Sequence, residues 1–149
     1  MHYRRFGRTN LEMSVLSCGG MRFQQSWKDL PATEVTDEEQ ERLESTVRRA
    51  LEIGINHIET AHGYGSSESQ LGRILPKLPR EKIIIQTKVP PSPDGGEFRK
   101  LVETSLTRLD QSHVDLLGFH GINNQEILDF SLKPGGPLAE ARKMQDEGM

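Results

Sequence analysis

The sequence predicts an α/β fold with a parallel sheet, because strand-like and helix-like segments alternate along the chain after an initial hairpin. A β-branched run at 82–89 indicates a buried strand. Apolar residues at helical spacing over 98–109 indicate an amphipathic helix, and a further apolar run at 114–120 indicates the next strand. Alternation of this kind is typical of parallel strands joined by right-handed crossovers through covering helices.

The first 35 residues predict a hairpin followed by a short strand. Tyr3–Phe6 and Met13–Leu16 are strand-like pieces on either side of a turn-rich tetrapeptide. The segment 15–21 is predicted to form the first parallel strand, which ends in a pair of glycines. The pattern over 22–35 is irregular and predicts no regular element.

The next unit is predicted from its capping residues. Thr36 and Glu39 have the spacing of a capping box, and Gly54 supplies a stop, so a helix is expected over about 37–53. The short apolar run 55–58 follows as the second parallel strand.

The remaining elements are predicted from similar signals. Ser67 with Gln70 repeats the capping-box spacing ahead of a helix that Pro76 is expected to end. The strand at 82–89 is expected to be central and buried on both faces. The last helix is predicted from Pro137, which suits a first helical position, to Gly148. The chain therefore carries four strand-helix units after the hairpin.

Composition limits the class of protein and its partners. The 149 residues fit one domain, 1–149, and the apolar fraction of 34% is that of a globular chain with a modest core. A net charge of −3 with interspersed signs offers no basic stripe for nucleic acid and no membrane-binding patch. One cysteine excludes an internal disulfide, and no apolar run is long enough to span a bilayer. We expect a soluble, cytoplasmic protein.

Four side chains are expected to meet at one edge of the sheet. Glu59, Lys88 and His120 end the second, third and fourth parallel strands, and Tyr64 follows Glu59 by five residues. The carboxyl ends of parallel strands share one edge, where ligands bind in both open sheets and barrels. Taken singly, each residue has an ordinary structural explanation, and their joint placement is what points to a site.

The chemistry of these four residues suits proton transfer to a carbonyl group. A tyrosine hydroxyl is a poor acid at neutral pH, so a neighbouring cation is needed to favour the phenolate, and Lys88 is the candidate. Glu59 would hold Lys88 charged and oriented. His120 could donate a hydrogen bond to the carbonyl oxygen while Tyr64 protonates it. No side chain supplies a hydride, so a redox cofactor is implied.

A metal site is a weaker interpretation of the same residues. His57 and His62 could join Glu59 and His120 as ligands. His57 is expected to point away from Glu59 because neighbouring strand residues alternate between faces. We therefore expect no metal.

Several motifs resemble the N-terminal half of the aldo-keto reductases. They are Phe6–Leu11 with Leu16–Met21, Glu59–Gly65 with Glu68, and Asp115–His120. The resemblance covers essentially the whole chain and implies a (β/α)8 TIM-barrel fold and NADP(H)-dependent reduction of an aldehyde or ketone. It implies Tyr64 as the acid, Lys88 as its modulator and His120 as the orienting donor.

The same resemblance implies a cofactor site and a partial barrel, and one residue of the chain differs from the family's pattern. NADP(H) is expected near Gly20, Met21, Arg22 and Glu59. The family has aspartate where this chain has Glu59, whose extra methylene displaces the carboxylate by about 1 Å or more. A full barrel needs eight strand-helix units and about 250 residues. This chain corresponds to a barrel truncated to a hairpin and about four units.

Two functions remain open on the sequence alone. The first is an NADPH-dependent reductase of small carbonyl substrates. The second is a catalytically inactive half-barrel or pseudoenzyme fragment that associates with itself or with a complementing half through exposed strand edges.

Overall fold

The computed structural model describes residues 1–23, 26–28 and 32–149. Within these residues a small hairpin precedes a four-stranded parallel sheet covered by helices. The strands are β1 Tyr3–Arg5, β2 Glu12–Ser14, β3 Cys18–Gly19, β4 His57–Glu59, β5 Ile84–Val89 and β6 Leu116–Phe119. The α-helices are α1 Asp37–Glu52, α2 Ser67–Gly72, α3 Gly95–Leu109, α4 Gln125–Leu132 and α5 Pro137–Asp146.

The strands of the sheet lie in chain order, β3-β4-β5-β6, and every neighbouring pair is parallel. Each crossover between neighbouring strands contains at least one α-helix. The predicted alternation of strand and helix is confirmed, and the sheet brings the carboxyl ends of all four strands to one edge.

The hairpin is confirmed, but the first parallel strand is shorter than predicted. β1 and β2 pair antiparallel with Tyr3 opposite Ser14. β3 has only two residues, because the chain turns into a 3₁₀ helix at Gly20–Phe23. Gly20 needs to be glycine at this turn: a Cβ there would lie 2.6 Å from Ser67 Oγ and 2.9 Å from the Glu59 carbonyl oxygen.

Helix α1 begins as its capping residues predict, whereas α2 does not. The Glu39 amide donates to Thr36 Oγ1 at 3.3 Å, which caps the N-terminus of α1. The prediction that Ser67 caps α2 is wrong. Ser67 is the first residue of the helix, and its hydroxyl donates to the Gly20 carbonyl oxygen at 3.0 Å. A long-range hydrogen bond has replaced the local cap.

Two further boundaries differ from the prediction. Helix α2 ends at Gly72, before Pro76, which lies inside a separate 3₁₀ turn at Leu75–Lys77. Helix α4 was not predicted from the sequence pattern. Its N-cap is Asn124, whose side chain accepts from the Ile127 amide at 2.9 Å. The last helix begins at Pro137 as predicted and ends slightly early, at Asp146.

The two faces of the sheet are chemically different. The face toward the helices is apolar, and on β5 it carries the fully buried Ile85, Thr87 and Val89. The opposite face of β5 carries Gln86 and Lys88, which are only partly buried. The prediction that β5 is central is confirmed, but the prediction that both faces are buried is wrong, since the second face is polar and partly open.

Two apolar clusters hold the helices on the sheet. One lies between α1, α2 and β4, and the other between α3, α5 and β6. In the part of the chain that the structure describes, no helix is both long enough and apolar enough to cross a membrane.

Candidate active site

The edge of the sheet formed by the carboxyl ends of the strands brings the four predicted side chains together. Glu59 is the last residue of β4, Lys88 is the second-to-last of β5, and His120 directly follows β6. Parallel register sets their spacing, since Lys88 pairs with Gly118 and the His120 amide donates to the Val89 carbonyl oxygen at 2.9 Å. Tyr64 reaches the same edge from the loop after β4.

The loop that carries Tyr64 is held by backbone hydrogen bonds to β5. The Thr60 amide donates to the Gln86 carbonyl oxygen at 2.9 Å, and the His62 amide donates to that of Lys88 at 2.8 Å. The chain then turns, with the Tyr64 amide bonded to the Ala61 carbonyl oxygen at 3.0 Å. The loop therefore continues the hydrogen-bonding pattern between β4 and β5 beyond the end of β4, and then places the Tyr64 side chain over the site.

Lys88 and Glu59 form an ion pair at the centre of the site. Lys88 Nζ contacts Glu59 Oε1, and the two side chains keep only 19% and 22% of their accessible surface. The extra methylene of glutamate therefore does not prevent contact with the lysine. The pair is partly desolvated, which strengthens its electrostatic influence on neighbouring groups.

The ammonium group also contacts the aromatic pair above it. Lys88 Nζ lies 4.7 Å from the centroid of the Tyr64 ring, within the range of a cation-π contact. The rings of Tyr64 and His120 meet edge to face, with centroids 5.6 Å apart and planes at 89°. All four side chains that the sequence analysis selected thus form one connected cluster.

The surroundings favour particular protonation states. Burial lowers the pKa of Lys88, while the adjacent Glu59 carboxylate favours the charged ammonium. Burial, and after it the positive charge of Lys88, lowers the pKa of His120 below its ordinary value of 6.5. His120 is therefore neutral at pH 7 and can both donate and accept a hydrogen bond.

This arrangement predicts that His120 titrates below pH 6.5 and that Lys88 contributes to the shift. Removal of the cation in Lys88→Met should raise the midpoint of His120 relative to the unmodified chain, because a positive neighbour disfavours the imidazolium. The midpoint is measured from the ring-proton resonances of His120 in an NMR titration. Lys100→Met is the matched control, since Lys100 is an exposed lysine of α3 that pairs with Glu97. A midpoint unaffected by Lys88→Met would contradict the electrostatic coupling.

A buried ionic cluster behind the Tyr64 loop was missed by the sequence analysis. Glu68 of α2 is fully buried, accepts from Thr87 Oγ1 at 2.6 Å and lies 3.5 Å from Nη1 of Arg108. Arg108 also donates to the His62 carbonyl oxygen at 3.4 Å, and His62 Nδ1 lies 2.9 Å from Ser105 Oγ. The cluster ties α2, α3 and β5 to the loop that carries Tyr64.

One signal in the sequence could have revealed this cluster. Glu68 precedes Leu71 and Leu75 by three and seven residues, so it lies on the apolar stripe of the helix that the sequence predicts up to Pro76. A charged residue on a buried stripe requires a partner, which Arg108 provides.

The predicted orientation of His57 is wrong. Residues two apart on a strand share a face, so His57 and Glu59 lie on the same side of the sheet. The structure agrees, because His57 Nε2 lies 3.0 Å from Oε1 of Gln86, the Cα partner of Glu59. Over the described ranges 1–23, 26–28 and 32–149, no group of three or more His, Cys, Asp or Glu side chains is arranged to hold a metal ion.

The residues expected near the cofactor lie at the same edge. Gly20 is buried against Ser67, whereas Met21 and Arg22 are exposed on the 3₁₀ turn that follows β3. A Cβ on Gly19 would lie 3.8 Å from Glu59 Oε2, so β3 passes close to the ion pair without crowding it.

Comparison with solved structures agrees with the barrel geometry. A putative aldo-keto reductase from Pseudomonas aeruginosa matches with a TM-score of 0.80 and 28% identity, over 98% of this chain and 56% of that one. An aldo-keto reductase from Klebsiella pneumoniae, solved in complex with NADPH, shares the fold with a TM-score of 0.60 and 18% identity, over 80% of this chain and 40% of that one. The observed sheet and helices correspond to part of a (β/α)8 barrel.

Comparison with protein families and curated sequences points the same way. Probable aldo-keto reductase 1 of Glycine max is 30% identical in an alignment that covers 97% of this chain and 41% of the relative. The chain spans less than half the length of the curated relatives that it matches. The model of the aldo/keto reductase family matches residues 15–132, and the chain therefore belongs to the aldo/keto reductase family.

Proposed function

We propose that this chain carries the proton-transfer residues of an NADPH-dependent reductase of small aldehydes or ketones. The observation that supports this proposal best is a single cluster: Lys88 contacts Glu59 and faces the Tyr64 ring at 4.7 Å, and that ring meets the His120 ring edge to face. We also propose that residues 1–149 are the N-terminal half of the barrel. The single cysteine is in keeping with a cytoplasmic setting.

The proposed chemistry assigns a role to each of the four residues. Tyr64 donates its hydroxyl proton to the carbonyl oxygen, and the Lys88 cation stabilises the phenolate that remains. In general, two opposite unit charges about 5 Å apart interact by about 3 kcal/mol at an effective dielectric constant of about 20. Glu59 orients Lys88, and the neutral His120 donates a hydrogen bond that aligns the substrate carbonyl.

The cofactor would supply the hydride and would be held at the β3 side of the site. Gly20, Met21, Arg22 and Glu59 are the residues that we assign to NADPH binding. Met21 and Arg22 are exposed there, and Arg22 offers a guanidinium suited to phosphate groups. Gly20 would contribute by allowing the turn to pack closely, since a Cβ there would lie 2.6 Å from Ser67 Oγ.

A second candidate function is a half-barrel that pairs with itself or with a complementing half. Strands β3 and β6 are the edges of the sheet. Val15 and Leu16, just before β3, keep 55% and 58% of their surface exposed. Beside β6, Val114, Leu117 and Phe119 line an open groove together with Leu138 of α5. Unpaired edges with apolar surroundings favour association with another chain.

One set of samples tests both candidates. If the β3 side of the site is sufficient to hold the cofactor, we expect NADPH to bind the chain with a micromolar Kd. Nucleotide fluorescence measures this binding. Light scattering over a range of concentrations then reports the mass. Micromolar binding would contradict the purely associative function, whereas a species that grows with concentration and does not bind NADPH would favour it. A monodisperse monomer with sharp thermal unfolding would contradict association.

A further inference from the structure

A hydrogen-bonded chain of side chains lies directly beneath the Lys88–Glu59 ion pair. His57 keeps only 4% of its surface exposed, and both of its ring nitrogens have partners. Nδ1 lies 2.7 Å from Ser17 Oγ, and Nε2 lies 3.0 Å from Gln86 Oε1. Neither His57 nor Gln86 belongs to the four-residue site described above.

Strand geometry places His57 and Gln86 two residues before the ion-pair residues on their own strands, and Gln86 is the Cα partner of Glu59. His57 precedes Glu59 by two residues on β4, and Gln86 precedes Lys88 by two on β5, so all four face the same side of the sheet. The Gln86 amide lies beside the Lys88 stem. A Cβ on Gly118 would come within 3.0 Å of Lys88 Cγ and 3.8 Å of Gln86 Nε2.

The hydrogen bonds define which atoms of His57 donate and accept. A neutral ring that donates from Nε2 to Gln86 Oε1 has an unprotonated Nδ1, which accepts from the Ser17 hydroxyl. Burial lowers the pKa of His57 below 6.5 and outweighs the hydrogen bond to Gln86, which raises it, so the neutral ring predominates at pH 7. The carbonyl oxygen of Gln86 is thereby occupied by His57.

We propose that His57 is a positioning residue for Lys88, because it occupies the Gln86 carbonyl oxygen and so leaves Glu59 as the acceptor that holds the ammonium beneath Tyr64. Without His57, the partly buried amide oxygen of Gln86, two residues before Lys88 on the same face of β5, would lack its partner and would compete with Glu59 for the ammonium. Lys88 would then withdraw from the Tyr64 ring. The catalytic importance of this effect rests on the proposed function, but the position of Lys88 can be measured without it.

NMR of the chain without cofactor tests the position of Lys88 directly. The Tyr64 ring should shift the resonance of the Lys88 ε-methylene protons upfield, and these protons should show cross-relaxation with the ring protons. The Tyr64→Leu variant removes the ring and so identifies how much of the upfield displacement the ring causes. We expect His57→Leu to lose it and His57→Gln, which keeps a donor and an acceptor, to retain it. His113→Leu is the matched control, since the His113 ring lies 3.2 Å from the hydroxyl of the neighbouring Ser112 and away from the ion pair. His57→Phe replaces His57→Leu if the smaller side chain does not fold.

A double-mutant cycle tests whether His57 acts through Gln86. In a Gln86→Leu background there is no amide oxygen to compete for Lys88, so adding His57→Leu should leave the upfield displacement in place. The proposal is overturned if His57→Leu alone leaves the Lys88 protons where they are. It is also overturned if His57→Leu has its full effect in the Gln86→Leu background. Because no cofactor or turnover is involved, absence of NADPH binding would contradict the proposed function and leave this result intact.

Discussion

Replacing Tyr64 with phenylalanine is expected to lower the rate of carbonyl reduction by about 10²- to 10⁴-fold while NADPH affinity stays nearly unchanged. The substitution removes only the hydroxyl, which is the proposed proton donor. The ring that faces Lys88 and His120 is kept, so the ion pair and the edge-to-face contact should persist. The change therefore isolates proton donation from packing.

The measurement requires a complete eight-stranded barrel, with the remaining strands supplied in the same polypeptide or by a complementing half. Turnover of a panel of aldehydes and ketones gives kcat/KM, and nucleotide fluorescence gives the NADPH affinity. Tyr3→Phe is the matched control. Tyr3 lies on β1 of the hairpin, outside the site, and its hydroxyl donates to the Gly54 carbonyl oxygen. Turnover by Tyr64→Phe equal to that of the unmodified protein would rule out Tyr64 as the acid.

Replacing Gly72 with alanine is expected to destabilise the fold by about 2 kcal/mol or more. A Cβ at this position would lie 2.0 Å from the Arg108 carbonyl oxygen, at the close crossing of α2 and α3. Both α2 and the backbone of α3 would have to shift, and overpacking of this kind costs about 3 kcal/mol. The better helix propensity of alanine offsets only about 1 kcal/mol of that cost.

The midpoint of thermal unfolding should fall by about 4 to 8 °C, because each kcal/mol of lost stability lowers it by about 2 to 4 °C in a chain of this size. Gly63→Ala is the control, since a Cβ on Gly63 would meet nothing within 4 Å. Helix propensity and packing predict opposite signs for Gly72→Ala. A variant as stable as the unmodified chain would therefore show that α2 and α3 do not approach this closely.

The buried Glu68–Arg108 pair illustrates what prevents a full prediction from sequence. Glu68 appears within a motif, yet its partner is 40 residues away and on another helix. Local patterns specify that a helix forms and which face is apolar, but not which residues of two helices meet. Ser67 shows the same limit, because a hydroxyl suited to a local cap bonds instead to Gly20.

The error over His57 has a different origin. Its orientation follows from the two-residue period of a strand, and correct use of that period places it with Glu59. Its partners, however, are Ser17, which directly precedes β3, and Gln86 on β5, and the register of β4 with these two strands decides that they meet.

The sequence by itself determined the order of the strands and of every described α-helix except α4, and it selected Glu59, Tyr64, Lys88 and His120 as one cluster. It could do so because hydrophobic period and turn residues are local signals, and because parallel strands must share one edge. Only the tertiary structure decided that Glu59 reaches Lys88, that Lys88 faces the Tyr64 ring, and that His57 and Gln86 lie beneath them. These contacts depend on strand register and on packing between residues far apart in the chain, which no local pattern encodes.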